Sequence, residues 1–195
     1  MSAPVPHGPG SGEASPWVTR WAHLVRPGGS VLDVACGGGR HARWFARRGW
    51  RVTAVDVDAA AVAALPSPIE GIVADLEDGA WPFEGRRFDA VVVTNYLWRP
   101  LMPTLLGALA ESGVLIHETF AAGHESVGRP RSPAFLLAPG ELIELTAGLR
   151  VVAYEDGFLE APERFVQRIV AVREAAEAPA PARHHLRRPE PQPAG

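Results

Sequence analysis

The chain has 195 residues, a net charge of -3 and 47% hydrophobic residues, enough for one sizeable core and too little for two comfortable ones. The mild charge argues against a dedicated nucleic-acid binder, which carries a basic excess, although a local patch could still hold RNA or DNA. The single cysteine, Cys36, excludes an internal disulfide and a multi-cysteine metal site, and points to a reducing, cytoplasmic home.

Residues 1–15 are rich in Pro, Gly, Ser and Ala, lack the basic and apolar regions of a secretory signal, and read as disordered. The Ala/Pro-rich tail 174–195, with its His184-His185-Leu186-Arg187-Arg188 cluster, reads the same way, leaving one folded domain over 16–173. Trp17 to Val25 predicts a short amphipathic helix closed by Pro27-Gly28-Gly29, and Ser30 to Ala35 a short apolar strand. Arg40 to Arg48 carries Ala42, Phe45 and Ala46 at helical spacing and stops at Gly49. Arg51 to Val55 predicts a second strand ending at Asp56. Asp58 caps a short helix through Leu65, and Ile69 to Ala74 is a third strand ending at Asp75. Phe88 to Thr94 is a fourth strand, too continuously apolar for an exposed edge. Runs such as Ala90-Val91-Val92-Val93 are far too short to span a membrane. Pro100 to Ala110 has a helical stripe of Leu101, Leu105, Leu106 and Leu109. Gly113 to Thr119 is a fifth strand, and Pro139 opens a helix through Thr146. Leu149 to Glu155 and Phe165 to Val172 close the domain as two strands with no helix between them.

Five βα repeats imply an α/β, doubly wound parallel sheet with right-handed crossovers. The connection between the last two strands is too short for a crossover. They must form a hairpin, which places one antiparallel strand in the sheet.

In such a sheet the ligand sits beyond the carboxyl ends of the strands. Gly37, Gly38 and Gly39 follow the first strand directly and lead into a helix, so backbone can approach a ligand closely there. Asp56 ends the second strand about 20 residues later, the spacing of an acid that accepts from ribose hydroxyls. Asp75, followed by Leu76, ends the third strand, where a carboxylate and the next amide can meet an adenine edge. Gly37-Gly38-Gly39-Arg40-His41-Ala42 also fits the dinucleotide fingerprint G-x-G-x-x-A. Asp33 decides between the two cofactors: a carboxylate before the loop repels a pyrophosphate but attracts the ammonium and sulfonium of S-adenosylmethionine. Asp56 or Asp75 alone reads more readily as an ordinary cap or a solvated loop acid, and it is the glycine loop and both acids together, each at a strand's carboxyl end, that weigh against this. Cys36 has no activating base nearby and reads as a small loop residue.

Asp33-x-Ala35-x-Gly37-x-Gly39 resembles the D/E-x-G-x-G-x-G first motif of class I S-adenosylmethionine-dependent methyltransferases. The wider run from Leu32 to Asp58 resembles the small methyltransferases of the type 11/12 and tellurite-resistance group, and the resemblance covers roughly residues 31–172. It implies a Rossmann-like seven-stranded sheet in the order 3-2-1-4-5-7-6, with strand 7 antiparallel. It assigns Asp33, Ala35, Cys36, Gly37, Gly38 and Gly39 to the methionine moiety of the cofactor. Asp56 goes to the ribose, Asp75 and Leu76 to the adenine, and Val57 and Asn95 are further cofactor-binding residues. Ala35 departs from the motif's first glycine, a costly change if that position needs a positive φ.

On the acceptor side, Tyr96 and Trp98 follow the fourth strand and could wall the site, or simply pack between strand and helix. His117 and Glu118 end the fifth strand. The stretch from Ala121 to Ala138 lacks periodicity and reads as a lid. It holds His124, Arg129 and Arg131, and the two arginines suit a carboxylate or phosphate on the acceptor. His117 and His124 are the candidate bases, needed only if the acceptor is protonated. The expected activity is methyl transfer to a small-molecule acceptor. Two alternatives stay open: a nicotinamide-dependent oxidoreductase on a related sheet, and a non-catalytic module that binds cofactor.

Overall fold

Residues 12–176 and 182–186 are described by the computed structural model, so most of the expected disordered ends lie outside the described residues. The strands are β1 (Ser30–Val34), β2 (Arg51–Asp56), β3 (Glu70–Val73), β4 (Phe88–Thr94), β5 (Leu109–Phe120), β6 (Arg150–Glu160) and β7 (Glu163–Val172). They form one sheet of seven strands in the order β3-β2-β1-β4-β5-β7-β6. The five strands β1 to β5 run parallel, and β7 is antiparallel to both β5 and β6. The Rossmann-like order and the closing hairpin are those expected.

The helices are α1 (Pro16–Trp21), α2 (Arg40–Ala46), α3 (Ala59–Ala63), α4 (Met102–Gly107) and α5 (Glu141–Leu145). Successive residues of a strand point to opposite faces, so the apolar run of β4 feeds two cores. Ala90 and Val92 join Trp17, Trp21 and Phe45 on one face. Val91 and Val93 join Leu105, Leu115 and Leu142 on the other. Asp58 caps α3 by accepting from the amides of Ala60 and Ala61, as its position predicts.

Three local expectations need correction. No helix joins β3 to β4; the connection is made of turns and bends, so this repeat lacks its helix. The helix expected through Ala110 ends at Gly107, and Leu109 is already in β5, paired with Phe88. The hairpin strands are longer than their apolar cores, with pairs reaching Glu160 and Glu163.

At the amino-terminal edge Ser15 is buried and caps α1, its Oγ accepting from the Trp17 amide at 3.1 Å. Trp17 donates from Nε1 to the Ile169 carbonyl at 3.4 Å, which seats α1 across β7. At the other end the His185 carbonyl lies 2.8 Å from Nε2 of His23; Arg187 and Arg188 lie outside the described residues.

Candidate functional site

The glycine loop leaves β1 and turns into α2 under constraint from two carboxylates. Asp33 is 1% exposed, and its Oδ2 accepts from the Ala42 amide at 2.9 Å. It thereby serves the first turn of α2, whose own cap, Gly39, has no side chain to offer. Its Oδ1 is buried without a partner among the described residues. Burial pushes the Asp33 carboxyl up to about 7, opposed by the Ala42 amide and the Arg40 guanidinium. Asp56 is equally buried. Its Oδ2 accepts from the Gly37 amide at 2.7 Å and its Oδ1 from the Asp58 amide at 2.9 Å.

The loop alternates left-handed residues: Ala35 at φ 49°, Gly37 at 50° and Gly39 at 71°. A Cβ on Gly39 would lie 2.2 Å from Cδ2 of Leu65, so a side chain there would force Leu65 to move and would be strained by the left-handed backbone. Ala35 does adopt the left-handed conformation and carries its strain. Cys36 is buried, and burial, with Asp33 and Asp56 nearby, holds its thiol far above its ordinary pKa. It is no nucleophile at neutral pH.

Beyond β2 and β3 the apolar surface is open: Val57 is 52% and Val73 53% exposed, with Leu76 half-buried between core and solvent. Asp75 is exposed, and its Oδ1 accepts from the amides of Glu77 and Asp78, so it caps its own turn. Asn95 sits at φ 55°, donates its amide to the Glu118 carbonyl at 2.9 Å, and keeps Oδ1 buried without a partner among the described residues. The Tyr96 hydroxyl is buried and likewise unpartnered among them. Burial raises its pKa, with added repulsion from Glu77, Asp75 and Asp56. Trp98 packs against the core.

His117 is 1% exposed, and Nε2 donates to the Tyr96 carbonyl at 3.2 Å, which leaves Nδ1 a buried lone pair with no partner among the described residues. Burial lowers its pKa to about 4, so the ring is neutral at pH 7. His124 stacks on Phe120 with centroids 4.3 Å apart and bonds the Arg129 carbonyl through Nε2. The expected lid is thus stapled internally. It is tied down further by Arg99, which donates to the carbonyls of Ala134 and Leu136 and pairs with Glu141. Arg129 and Arg131 are exposed on its surface, and Arg131 donates to the Gly128 carbonyl.

Glu118 is 1% exposed and faces the opposite side of β5 from His117. Its Oε1 accepts from Ser15 Oγ at 3.0 Å, and Oε2 meets Arg168 at 3.3 Å. Sequence reasoning missed the company it keeps. The Ser15 amide donates to His41 Nε2 at 3.2 Å, so the ring proton of His41 lies on Nδ1, 3.4 Å from Thr94 Oγ1. Burial and the neighbouring Arg40 lower the pKa of His41 to about 3. Ser15, His41 and Glu118 come from three distant segments, and no spacing rule could have joined them.

Comparison with known proteins agrees with this geometry. Residues 31–112 match the family model described as a methyltransferase domain. TehB from Haemophilus influenzae is similar in fold, with a TM-score of 0.68 at 19% identity, over 80% of this chain and 61% of that one. The glycopeptide N-methyltransferase MtfA, solved with S-adenosyl-L-homocysteine, gives a TM-score of 0.60 at 20% identity, over 84% and 91% of the two chains. Ribosomal RNA small subunit methyltransferase C from Alcanivorax borkumensis is 36% identical over 93 residues, 38% of this chain; the chain spans 28% of that relative's length. The chain thus carries a match to a methyltransferase domain over residues 31–112 and shares its fold with TehB and with the methyltransferase MtfA. No helix among the described residues is long and apolar enough to cross a membrane.

Proposed function

We propose that this chain transfers a methyl group from S-adenosylmethionine to a small-molecule acceptor. The observation that carries the donor half is the Asp33 Oδ1 atom, buried without a partner among the described residues, before a loop of small residues that alternates left-handed positions. A buried carboxylate oxygen left open is costly unless a cation or donor meets it, and an ammonium group does so. A pyrophosphate at the same place would be repelled. Asp33 and the loop Ala35 to Gly39 would hold the methionine half. Asp56 uses one lone pair of each oxygen on backbone amides and keeps the others for ribose hydroxyls. Val57, Asp75 and Leu76 would meet the adenine, and Asn95 would flank the cofactor.

When bound, the cofactor supplies an electrophilic methyl carbon. The chain's own part is to bind, to orient and to exclude water. Tyr96 offers a buried hydroxyl on the cofactor side. His117, neutral and tied to the Tyr96 backbone, offers a buried lone pair able to accept a proton from a protonated acceptor. With its pKa near 4 it is a weak base, which suits an acceptor already nucleophilic at neutral pH. The mild net charge supports a small acceptor over a nucleic acid.

Calorimetry with S-adenosylhomocysteine and with NAD tests the donor. Micromolar binding of the sulfur compound, weakened by Asp33→Asn, is expected; binding of NAD alone overturns the reading. Incubation with labelled donor and either a cell metabolite extract or ribosomal RNA tests the acceptor. Label in RNA and none in the small-molecule fraction overturns that half.

A further inference from the structure

A group of arginines sits on the Glu118 side of the sheet, beside the start of α2 and the start of β7. Arg168 lies against Glu118 and Glu155, and its guanidinium stacks 4.8 Å from the Trp17 ring. Arg20 reaches Glu155 at 3.5 Å. Arg164 approaches Glu118 only loosely, at 3.8 Å, and its Nε is buried without a partner among the described residues. Arg40, the first residue of α2, is half-buried. It feels the charges of Glu118, Arg164 and Asp33, and its side chain makes no hydrogen bond among the described residues. Four guanidiniums therefore lie near three carboxylates, Glu118, Glu155 and Asp33, and two of them, Arg40 and Arg164, keep donors unfilled on the Glu118 side among the described residues. A guanidinium donor held out of bulk water without an acceptor is costly, and an anion lying between these two side chains would supply one.

The place matters. β7 runs opposite to β5, so the start of β7 lies at the carboxyl end of the parallel strands, the end where the glycine loop opens. The open apolar surface of Val57 and Val73 lies on β2 and β3, on the other side of β1. Arg164 is thus on the far side of the loop from the adenosine end, beside Glu118. An anion there would sit ahead of the cofactor's methyl rather than along its adenosine.

We propose that Arg40 and Arg164 bind a carboxylate or phosphate carried by the methyl acceptor. This rests on the transferase reading above. Glu118 cancels part of the charge and positions Arg164 and Arg168, so the site holds a single anionic group and releases the product. The planar guanidinium forks suit such a group in bidentate fashion. Arg129 and Arg131, exposed on the loop, have no comparable desolvated setting.

The test uses the full chain saturated with S-adenosylhomocysteine and follows tryptophan fluorescence, since Trp17 stacks on Arg168. Sodium phosphate and sodium acetate are titrated at ionic strength held constant with sodium chloride. A saturable change with either anion is expected, weakened about tenfold or more by Arg164→Gln and by Arg40→Gln. Arg164→Gln is expected to bind S-adenosylhomocysteine within twofold of the parent. Arg164→Lys, which keeps the charge but loses the fork, is expected to fall between. A response no larger than that of chloride, or one unchanged in both glutamine variants, overturns the proposal. Competition between phosphate and S-adenosylhomocysteine also overturns it, because the pair would then serve the donor's own carboxylate. Failure of S-adenosylhomocysteine to bind the parent chain is a separate result and overturns the donor reading instead. Arg40 and Arg164 stand on different elements, so unfolding of one variant leaves the other to decide.

Discussion

The Asp56 carboxylate accepts the Gly37 amide at 2.7 Å, fastening the middle of the glycine loop to the end of the neighbouring strand. The same side chain also holds the Asp58 amide, so one residue sets both the loop and the entry to α3. Asp56→Ala leaves two amides without their acceptor. It is expected to cost about 1–3 kcal/mol of stability and to abolish binding of S-adenosylhomocysteine. Urea unfolding and calorimetry read the two effects. Full stability in the variant would mean the latch is idle.

Ala35 carries a methyl group in a left-handed conformation, at φ 49°. Ala35→Gly relieves about 1–2 kcal/mol of strain and gives back about 0.4–1 kcal/mol through the freer unfolded chain. A small net gain in stability is expected, with cofactor affinity kept or improved. A lower urea midpoint would contradict this.

Asp33 has a carboxyl raised to about 7 by burial, and a cationic ligand binds its charged form. Affinity for S-adenosylhomocysteine is therefore expected to rise as pH climbs through about 7 and then level off. In Asp33→Asn the affinity is expected to be lower and the pH dependence flat. Calorimetry from pH 5.5 to 8.5 checks both, and an unchanged slope in the variant would remove Asp33 from the ligand.

His117 and His41 pull folding stability in the opposite direction to Asp33. Their pKa values fall to about 4 and about 3 on folding, so the unfolded chain binds more protons below about 6.5 and stability drops as pH falls through that range. Asp33, with its folded value raised, loses stability as pH rises from about 4 to about 7. Two groups outweigh one. Stability is expected to be higher at pH 7 than at pH 5, with a net slope of about one proton. His117→Gln is expected to flatten that slope, as measured by urea midpoints across pH.

Arg99 joins the loop between β5 and α5 to the start of the α4 segment through two carbonyls and Glu141. Arg99→Ala is expected to free residues 133–141 for cleavage by a protease at concentrations that leave the parent intact. The sheet core is expected to survive, with a loss of about 1–3 kcal/mol at most. Equal resistance in both proteins would show that the His124 staple alone suffices.

Much of this fold was legible because its punctuation is local. Gly49 ends α2, Asp58 caps α3, and Thr94 stops a strand too apolar to be an edge. The error at Leu109 has a physical cause. Leu101, Leu105 and Leu109 are spaced for a helix, yet all three are buried, and burial satisfies either conformation. Ser112 at φ 61° marks an irregular start to β5 that hydrophobic periodicity cannot register. In the site, the acids at strand ends were readable from spacing. That Asp75 caps its own turn, and that Asp56 spends its oxygens on backbone, depends on local hydrogen bonding that spacing leaves open. The Arg40, Arg164 and Glu118 group was illegible, since it joins three elements that become neighbours only when the sheet has formed.

The anchors of α1 are all remote in sequence. Ser15 reaches His41 across 26 residues and Glu118 across 103, and Trp17 reaches Ile169 across 152. A helix of six residues has too few internal bonds to persist alone. It can dock only once β5 and β7 have paired, so it is expected to be the final piece to arrive in folding and the first to depart in the native state. The Ala22 amide, bonded to the Val18 carbonyl, should then exchange with deuterium through a small opening, while the amides of β4 wait for the whole protein to unfold. Each such opening would also uncover His41 and Glu118, so two buried polar side chains would meet water whenever this short helix lifts.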